Sequence, residues 1–243
     1  MLKLFIWIRS LFASVIALVI TFFVCVGVII SALLGSRRGA DLIVWFWGES
    51  VTRIYNIKVK VIGTENLPDE GVLFVFNHTS LMDIIIFCQA IRKSARFGAK
   101  IELFKIPVFG LAMKLAGALP ISRAERSKVL RLYDESIQRV HNGESFILAA
   151  EGTRQMNAGV GARFKSGPFI FALNGQFPIV PIVLRGATEC LPRHRLIPCT
   201  DSWKSDVVVQ ILKPVQTKGL VLEDRATVQN DVQNLMTTAY NSR

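Results

Sequence analysis

Residues 71–91 read GVLFVFNHTSLMDIIIFCQAI, and this stretch decides the fold. Its first part is an apolar run, which is typical of a strand that is buried on both faces of a sheet. The polar letters NHTS predict a turn, and the apolar stretch from Met82 predicts a helix. A strand that passes through a turn into a helix is the repeating unit of α/β domains, whose ligands bind where such strands end.

The same alternation continues on both sides of this stretch. Further strands are predicted at residues 59–63, 95–100, 118–123, 145–149, 177–186 and 206–213. Further helices are predicted at residues 109–117, 128–140 and 222–240. We therefore expect residues 57–243 to form one α/β domain, with a mixed β-sheet that is covered by helices.

The N-terminal 56 residues have a different composition. Residues 11–35 contain no charged residue, and about 20 apolar residues suffice to cross a bilayer as a helix. Aromatic residues typical of a lipid–water interface follow beside basic ones: Trp45, Phe46, Trp47 and Tyr55. We expect residues 1–56 to be a membrane-embedded helical segment, either one spanning helix or a hairpin that enters one leaflet. A buried core helix is the third alternative.

The chain carries a surplus of positive charge, with 29 Lys and Arg against 18 Asp and Glu and a net charge of +11. This surplus suits anionic partners such as phosphate head groups, an anionic leaflet or nucleic acid. We expect no nucleic-acid partner, because the N-terminus is apolar and no stacking or helix-turn-helix signature is present. Several basic residues are expected to lie at a solvated or lipid-facing surface: Lys93, Arg96, Lys114, Arg126 and Lys128.

Metal and nucleotide signatures are missing from the sequence. The GVG at residues 159–161 lacks the third glycine of a dinucleotide fingerprint. The cysteines have no partner at zinc spacing, so we expect no metal site. We interpret all four as unpaired thiols or small buried residues in a reducing compartment, with a Cys190–Cys199 disulfide as the less favoured alternative: Cys25, Cys88, Cys190 and Cys199.

His78 and Asp83 are the candidate catalytic pair. Histidine is suited to take a proton near neutral pH, and a carboxylate on its other ring nitrogen fixes the tautomer. Five residues along a helix correspond to about 140° of rotation, so the two side chains cannot meet within a regular helix. They can meet if His78 precedes the helix and Asp83 lies in its first turn, with Ser80 as the N-cap. Alternatively, Asp83 only caps the helix and His78 is an ordinary residue at a strand end.

Four further blocks follow residues 77–83 in a fixed order: GALPISR at 117–123, AAEGTR at 149–154, FKSG at 164–167 and FPIVPIVL at 177–184. With NHTSLMD they resemble the glycerolipid acyltransferase family, which includes the 1-acylglycerol-3-phosphate acyltransferases. Two positions depart from the family pattern: Ala149-Ala150 stands where Phe-Pro is usual, and Gln155 stands where Ser is usual. Neither departure removes a charged group.

The resemblance implies a glycerol-3-phosphate acyltransferase-like fold in which His78 is the general base and Asp83 orients it. Arg123 and Arg154 would bind the phosphate of the acceptor, because a guanidinium is a planar fork that suits this anion. Lys105 is a further candidate for the same phosphate.

The remaining site residues come from the AAEGTR block. Glu151 would pair with an arginine or accept a hydrogen bond from a glycerol hydroxyl, and Thr153 would offer its own hydroxyl. Gly152 would let the backbone come close to the ligand. Loop amides near the start of the helix that follows Ser80 are expected to stabilise the oxyanion of the transition state.

The resemblance also implies a reaction. An acyl thioester, either acyl-ACP or acyl-CoA, would donate a fatty-acyl group to the sn-2 hydroxyl of lysophosphatidic acid and give phosphatidic acid. The expected partners are a phospholipid membrane, lysophosphatidic acid, and acyl carrier protein or coenzyme A thioesters, with no tightly bound cofactor. We expect the inner (cytoplasmic) membrane, with the catalytic domain facing the cytoplasm. The alternatives are another lysolipid acceptor or an inactive membrane-anchored lipid-binding protein.

Overall fold

The computed structural model describes residues 1–122 and 124–242. The helices are α1 (Leu2–Leu33), α2 (Arg37–Ile54), α3 (Met82–Ala90), α4 (Phe109–Leu115), α5 (Arg126–His141), α6 (Gly167–Gly175), α7 (Ala187–Cys190) and α8 (Arg225–Asn241). The strands are β1 (Ile57–Ile62), β2 (Leu73–Phe76), β3 (Ala95–Lys100), β4 (Leu119–Ile121), β5 (Ser145–Ala149), β6 (Ile179–Arg185) and β7 (Ser205–Ile211). Short 3-10 turns occupy Thr64–Asn66, Ile101–Lys105 and Leu222–Asp224.

The strands form one sheet in the order β1-β7-β6-β2-β5-β3-β4. Neighbours run parallel except β6 and β7, which run antiparallel. The prediction of a mixed sheet covered by helices is therefore confirmed. Strands β2 to β6 all end at one edge of the sheet, which we call the carboxyl edge, and β1 and β7 begin there.

Strand β2 lies in the middle of the sheet and contributes to both faces. Phe74 and Phe76 belong to the core beneath α2 and α3, whereas Leu73 and Val75 belong to the core beneath α5, α6 and α8. All four side chains are at most 1% exposed. The strand is thus held rigidly from both sides, and the turn that follows it at the carboxyl edge has a fixed starting point.

Helices α1 and α2 form an antiparallel hairpin that packs on the sheet domain. A short turn joins them, and Ser36 caps α2 by accepting a hydrogen bond from the Gly39 amide (3.1 Å). Helix α2 packs against α3, and α1 packs against α4. Helix α1 begins nine residues earlier than the uncharged run alone predicts, so Lys3 and Arg9 lie within it.

Helix α1 is long and apolar enough to cross a membrane. Its 32 residues correspond to about 48 Å of helix. Only 22% of its most apolar 18-residue window is buried, which excludes the core-helix alternative. Large apolar side chains such as Leu18 and Phe23 are more than half exposed.

Two of the four aromatic residues that we assigned to the lipid–water interface instead hold the hairpin together. The Trp47 indole donates a hydrogen bond to Thr21 Oγ1 (2.9 Å), and the Tyr55 hydroxyl donates to Ser14 Oγ (2.8 Å). Tyr55 is buried. Phe46, by contrast, is 62% exposed. The interface prediction was therefore wrong for Tyr55, because its polar group finds a partner on the facing helix.

Arg96 was predicted at the surface and is in fact buried, with 6% exposure. Its guanidinium donates to Asp41 of α2 and to Glu144 Oε1 (2.6 Å), and Arg139 of α5 donates to Glu144 Oε2 (2.6 Å). Burial of this cation is possible because two carboxylates neutralise it. The network connects the hairpin, strand β3 and helix α5.

The cysteine prediction is confirmed. All four thiols are unpaired and buried. Cys190 and Cys199 lie close together, since the Cys199 amide donates a hydrogen bond to the Cys190 carbonyl (2.6 Å), but no disulfide joins them.

Candidate active site

His78 and Asp83 meet at the carboxyl edge, in the turn between β2 and α3. His78 Nδ1 lies 2.8 Å from Asp83 Oδ2. The Asp83 side chain is fully buried, and the His78 side chain is 16% exposed. Because an ionised carboxylate only accepts hydrogen bonds, Nδ1 carries the hydrogen and Nε2 presents a lone pair. The imidazole thus has the tautomer that a general base needs.

The same carboxylate also shapes the turn. Asp83 Oδ2 accepts hydrogen bonds from the amides of Thr79 (2.8 Å) and Ser80 (2.9 Å). The Ser80 hydroxyl accepts from the Met82 amide (3.1 Å) rather than from Asp83, because α3 begins at Met82. Asp83 therefore both caps the turn and contacts the imidazole, so the two alternatives weighed from the sequence coexist.

The expectation that amides in this turn bind an oxyanion is wrong for Thr79 and Ser80. Both N–H groups already donate to the buried carboxylate of Asp83. An oxyanion hole needs donors that point at the reacting oxygen, and these two point inward.

Asn77 is fully buried and anchors the turn from the other side, a role that the sequence motif alone did not reveal. Its side chain exchanges hydrogen bonds with the backbone of Leu184 on β6, accepting from the amide (2.8 Å) and donating to the carbonyl (3.0 Å). Its Nδ2 also donates to the Gly159 carbonyl (3.0 Å). One amide group thus fixes the end of β2 against β6 and against the loop that follows β5.

Glu151 lies beside His78 but does not pair with an arginine within residues 1–122 and 124–242. One carboxylate oxygen accepts from the His78 amide and the other from the Gly161 amide, both at 3.0 Å. The residue is 2% exposed. Burial raises the pKa of this carboxyl above its usual value, and the two amides partly offset that rise. The expected contact of Glu151 with the acceptor stays a prediction, and its expected pairing with Arg123 lies outside the described residues.

The residues after Glu151 pass directly beside His78. Gly152 has a φ of +65°, so a glycine is required there for its backbone conformation rather than only for access. Thr153 and Arg154 follow, and the Gln155 amide donates to the His78 carbonyl (2.8 Å). Arg154 therefore directly precedes a residue, Gln155, whose backbone is hydrogen-bonded to that of His78. The Arg193 guanidinium donates to the Arg154 carbonyl (2.8 Å).

The other two predicted phosphate ligands are Lys105 and Arg123. Lys105 is exposed at the end of the 3-10 turn that follows β3, which is on the carboxyl edge but two strands away from β2. No hydrogen bond in the described chain joins Lys105 to the His78 turn. Arg123 lies outside the described residues.

Basic side chains are concentrated around this edge. Some have carboxylate partners, as Lys100 has in Glu102 and Lys128 in Glu125. Others have no ion pair among the residues that the structure describes: Lys105, Arg126, Arg154, Arg163, Lys165 and Arg193. Uncompensated cations at the mouth of a site raise the local concentration of an anionic ligand.

Two cavities in the fold lie away from His78. One, of about 160 Å³, is lined by Arg96, Gly117 and Glu144. The other, of about 130 Å³, is lined by His141 and Phe177 among others. Both sit at the edge where β2, β3 and β5 begin. His78 lies at the opposite edge, where its side chain is 16% exposed.

Comparison with known proteins extends this description. The sequence profile of the family described as Acyltransferase matches residues 58–185. A chloroplastic 1-acyl-sn-glycerol-3-phosphate acyltransferase of Brassica napus is 34% identical over 137 residues, which cover 56% of this chain and 39% of that protein. The human 1-acyl-sn-glycerol-3-phosphate acyltransferase alpha is 29% identical over 191 residues, which cover 77% of this chain and 65% of that protein. The chain thus spans about two fifths to two thirds of the length of these relatives.

A solved structure matches over the whole chain. The crystal structure of the 1-acyl-sn-glycerophosphate (LPA) acyltransferase of Thermotoga maritima superimposes with a TM-score of 0.79 at 26% identity. The match covers 100% of this chain and 99% of that one. The likeness therefore includes the N-terminal hairpin as well as the sheet domain.

Proposed function

Because the chain belongs to the acyltransferase family, we propose that it transfers a fatty-acyl group from an acyl thioester to the sn-2 hydroxyl of 1-acyl-sn-glycerol-3-phosphate. The product is phosphatidic acid, and the donor is acyl-ACP or acyl-CoA. The names of the relatives from Brassica napus, human and Thermotoga maritima support this acceptor. The observation that carries the proposal is the contact of His78 with Asp83 beside a set of unpaired cations.

His78 is the general base of this reaction. Its Nε2 takes the proton of the sn-2 hydroxyl while the oxygen attacks the thioester carbonyl. As the tetrahedral intermediate collapses, the carbon–sulfur bond breaks and the imidazolium returns the proton to the departing thiolate. Asp83 holds the ring in the required tautomer and stabilises its transient charge. No protein residue is acylated, so donor and acceptor must be bound together.

Cations around His78 hold the acceptor by its phosphate. Arg154 is the first candidate, because its neighbour Gln155 contacts the His78 backbone. Lys105 and Arg123 are the further phosphate ligands that the family resemblance implies. Binding the anionic head group fixes the register of the hydroxyl relative to the imidazole, which converts binding energy into orientation.

The hairpin anchors the protein along one leaflet rather than across the bilayer. Near its start, α1 contacts the loop before β7, where Arg9 donates to the carbonyls of Cys199 and Ser202 (both 3.3 Å). Near its end, Val28 packs with Ala112 of α4. These contacts are about 28 Å apart along the helix, nearly the thickness of the hydrocarbon core. A spanning α1 would therefore draw the polar domain into the bilayer.

We place the protein on the inner (cytoplasmic) membrane with the catalytic domain on the cytoplasmic side. Four buried, unpaired cysteines suit a reducing compartment. The exposed apolar side chains of α1 would supply the attachment.

The test uses the purified protein in lipid vesicles with 1-acyl-sn-glycerol-3-phosphate and either acyl-ACP or acyl-CoA. We expect product with the mass of phosphatidic acid and an equal amount of free thiol. A panel of lysolipids without the phosphomonoester, such as lysophosphatidylcholine, should react more slowly. Thiol release without lipid product, or a preference for an acceptor lacking the phosphomonoester, would refute this acceptor. No thiol release with either donor would refute the activity.

A further inference from the structure

The loop between β5 and α6 returns to the carboxyl edge at residues 159–161, the GVG segment. The Gly159 carbonyl accepts from Asn77 Nδ2 (3.0 Å), and the Gly161 amide donates to Glu151 Oε1 (3.0 Å). The segment thus contacts Asn77, which precedes His78 in the chain, and Glu151, which accepts a hydrogen bond from the His78 amide. Gly159 and Gly161, which match no nucleotide-binding signature, therefore have a structural role: they contact Asn77 and Glu151.

Gly161 cannot carry a side chain in this arrangement. A Cβ on it would lie 2.5 Å from Glu151 Cγ, which is closer than real Cβ contacts allow, and at a tight 3.2 Å from Glu151 Oε1. Only glycine therefore lets the segment approach closely enough for its amide to reach the carboxylate.

Helix α8 fixes this segment from outside. Gln233 Nε2 donates to the Gly161 carbonyl (2.8 Å), and Gln229 Nε2 donates to the Phe164 carbonyl (3.1 Å) one helical turn away. The helix itself is rigid, because Val232 and Met236 are fully buried in the core beneath the sheet. Gln233 lies outside residues 58–185, the part that the family profile matches.

These hydrogen bonds form a continuous series from α8 to the backbone of His78. Gln233 holds the carbonyl of Gly161, the amide of Gly161 holds one oxygen of Glu151, and the other oxygen holds the amide of His78. Each oxygen of the Glu151 carboxylate has a backbone partner, and the residue is almost completely buried. An acceptor hydroxyl would therefore meet a carboxylate that the surrounding protein shields from the surface.

We propose that Glu151, Gly161 and Gln233 are positioning residues that fix the backbone of the base, and that Glu151 makes no contact with the acceptor. The inference uses the proposed acyl transfer as one of its readouts and rests on it to that extent. A general base must lie within hydrogen-bond reach of the proton that it takes. A displacement of His78 therefore lowers turnover without weakening the grip of the cations on the phosphate.

Gln233→Met tests this series of hydrogen bonds at the residue farthest from His78. Gln233→Lys is the rescue variant. Both replacements favour helix and have a similar length, but only lysine keeps a donor for the Gly161 carbonyl. We expect Gln233→Met to lower kcat about three- to tenfold, the typical effect of one lost hydrogen bond, with the KM for the acceptor unchanged within about twofold. Gln233→Lys should recover most of the lost turnover.

The matched control is Asn234→Met, because Asn234 is the adjacent residue of α8 and is exposed. We expect its kcat and KM to equal those of the unaltered protein. Unchanged kcat in Gln233→Met, or equal losses in the Met and Lys variants, would overturn the positioning role. A raised KM for the acceptor at unchanged kcat would assign this loop to substrate binding instead.

A second readout does not depend on catalysis. Amide hydrogen exchange at His78 and Gly161 should be faster in Gln233→Met and in Glu151→Gln, which loses one acceptor oxygen. Unchanged protection of both amides would overturn the proposal. The exchange measurement on Glu151→Gln remains a test even if Gln233→Met does not fold. If the unaltered protein transfers no acyl group, the proposed function fails while the exchange measurement still decides the positioning chain.

Discussion

At the scale of single residues, the imidazole of His78 depends on one oxygen of Asp83. That oxygen accepts hydrogen bonds from the ring and from the amides of Thr79 and Ser80. The carboxylate therefore keeps the turn in shape and sets the tautomer of the base at the same time. A carboxamide there would lack the negative charge that stabilises the imidazolium and could direct an N–H toward the ring.

Asp83→Asn should lower kcat by about 100-fold or more, because the imidazole then loses the partner that selects its tautomer. Steady-state acyl transfer at a fixed temperature measures the change. Asp134→Asn is the control: Asp134 lies on α5 and accepts a surface hydrogen bond from Asn174 (3.1 Å). Turnover of Asp83→Asn that equals this control would contradict the orienting role.

Arg154→Ala should raise the KM for 1-acyl-sn-glycerol-3-phosphate about tenfold or more while leaving kcat nearly unchanged. A charge-assisted hydrogen bond to phosphate is stronger than a neutral one, and its loss affects ground state and transition state alike. Arg131→Ala, on the exposed face of α5 where the guanidinium pairs with Glu135, is the matched control. An unchanged KM in Arg154→Ala would exclude a phosphate contact.

Local spacing predicted one residue contact well and missed another. His78 and Asp83 are five residues apart, so the start of α3 alone brings them together. The amide partners of Glu151 were not predicted, because one of them is the amide of Gly161, which is ten residues away in a loop without regular pattern. Arg96 was misassigned because its carboxylate partners come from two distant elements. Contacts of this second kind become visible only in the folded chain.

At the scale of elements, the proposed membrane attachment depends on the hairpin. Helix α1 exposes apolar side chains along its length, yet the catalytic domain contacts both of its halves. The sequence predicted that this segment is helical and apolar. It did not predict the start at Leu2, because Arg9 stays within the helix by donating to carbonyls of the distant loop before β7.

Both ends of α1 should face the same side of the membrane. Lys3→Cys and Leu34→Cys place thiols at exposed positions at the two ends of the helix. With intact inside-out vesicles, a membrane-impermeant thiol reagent should label both variants. The unaltered protein, whose cysteines are buried, is the control for background labelling. Labelling of only one variant would establish a spanning helix.

The network around Arg96 makes the stability of the fold depend on pH. Burial alone would raise the pKa of Glu144, but hydrogen bonds and charge from Arg139 and Arg96 outweigh it and hold the pKa below the ordinary 4.5. A carboxyl with a lowered folded-state pKa contributes stability above its unfolded pKa and loses it as the pH falls through the folded value. The contribution of Glu144 is therefore complete at neutral pH.

Glu144→Gln should destabilise the protein by about 3 kcal/mol at pH 7, because one partner of a buried ion pair is lost. The difference from the unaltered protein should shrink as the pH falls below about 4.5. Thermal unfolding at several pH values measures it, with the exposed Glu65→Gln as control. A difference that stays constant across this range would contradict the ion-pair origin.

At the scale of the whole molecule, the sheet brings distant segments to one edge. The turn after β2 supplies His78, the loop after β5 supplies Arg154, and the loop between α7 and β7 supplies Arg193. The alternation of strands and helices predicted a mixed α/β sheet. It could not predict the strand order or the antiparallel β7, because each depends on which strand edges meet after collapse and not on the pattern within a strand.

The fold also determines where the surplus of basic side chains lies. A net charge of +11 only suggests anionic partners, whereas the fold brings Arg154 and Arg193, which form no ion pair within the described part of the chain, close to the turn that holds His78. The apolar hairpin packs on the same domain. In the proposed reaction it would hold the protein at the surface that supplies a lipid with an anionic head group.

The most direct test of this account is acyl transfer by His78→Ala in lipid, compared with His141→Ala at the exposed end of α5. We expect His78→Ala to lose turnover by a factor of about 100 to 10,000, with the unfolding temperature and the binding of lysophosphatidic acid retained. His141→Ala should keep the turnover of the unaltered protein. Turnover by folded His78→Ala that matches His141→Ala would contradict the assignment of His78 as the base.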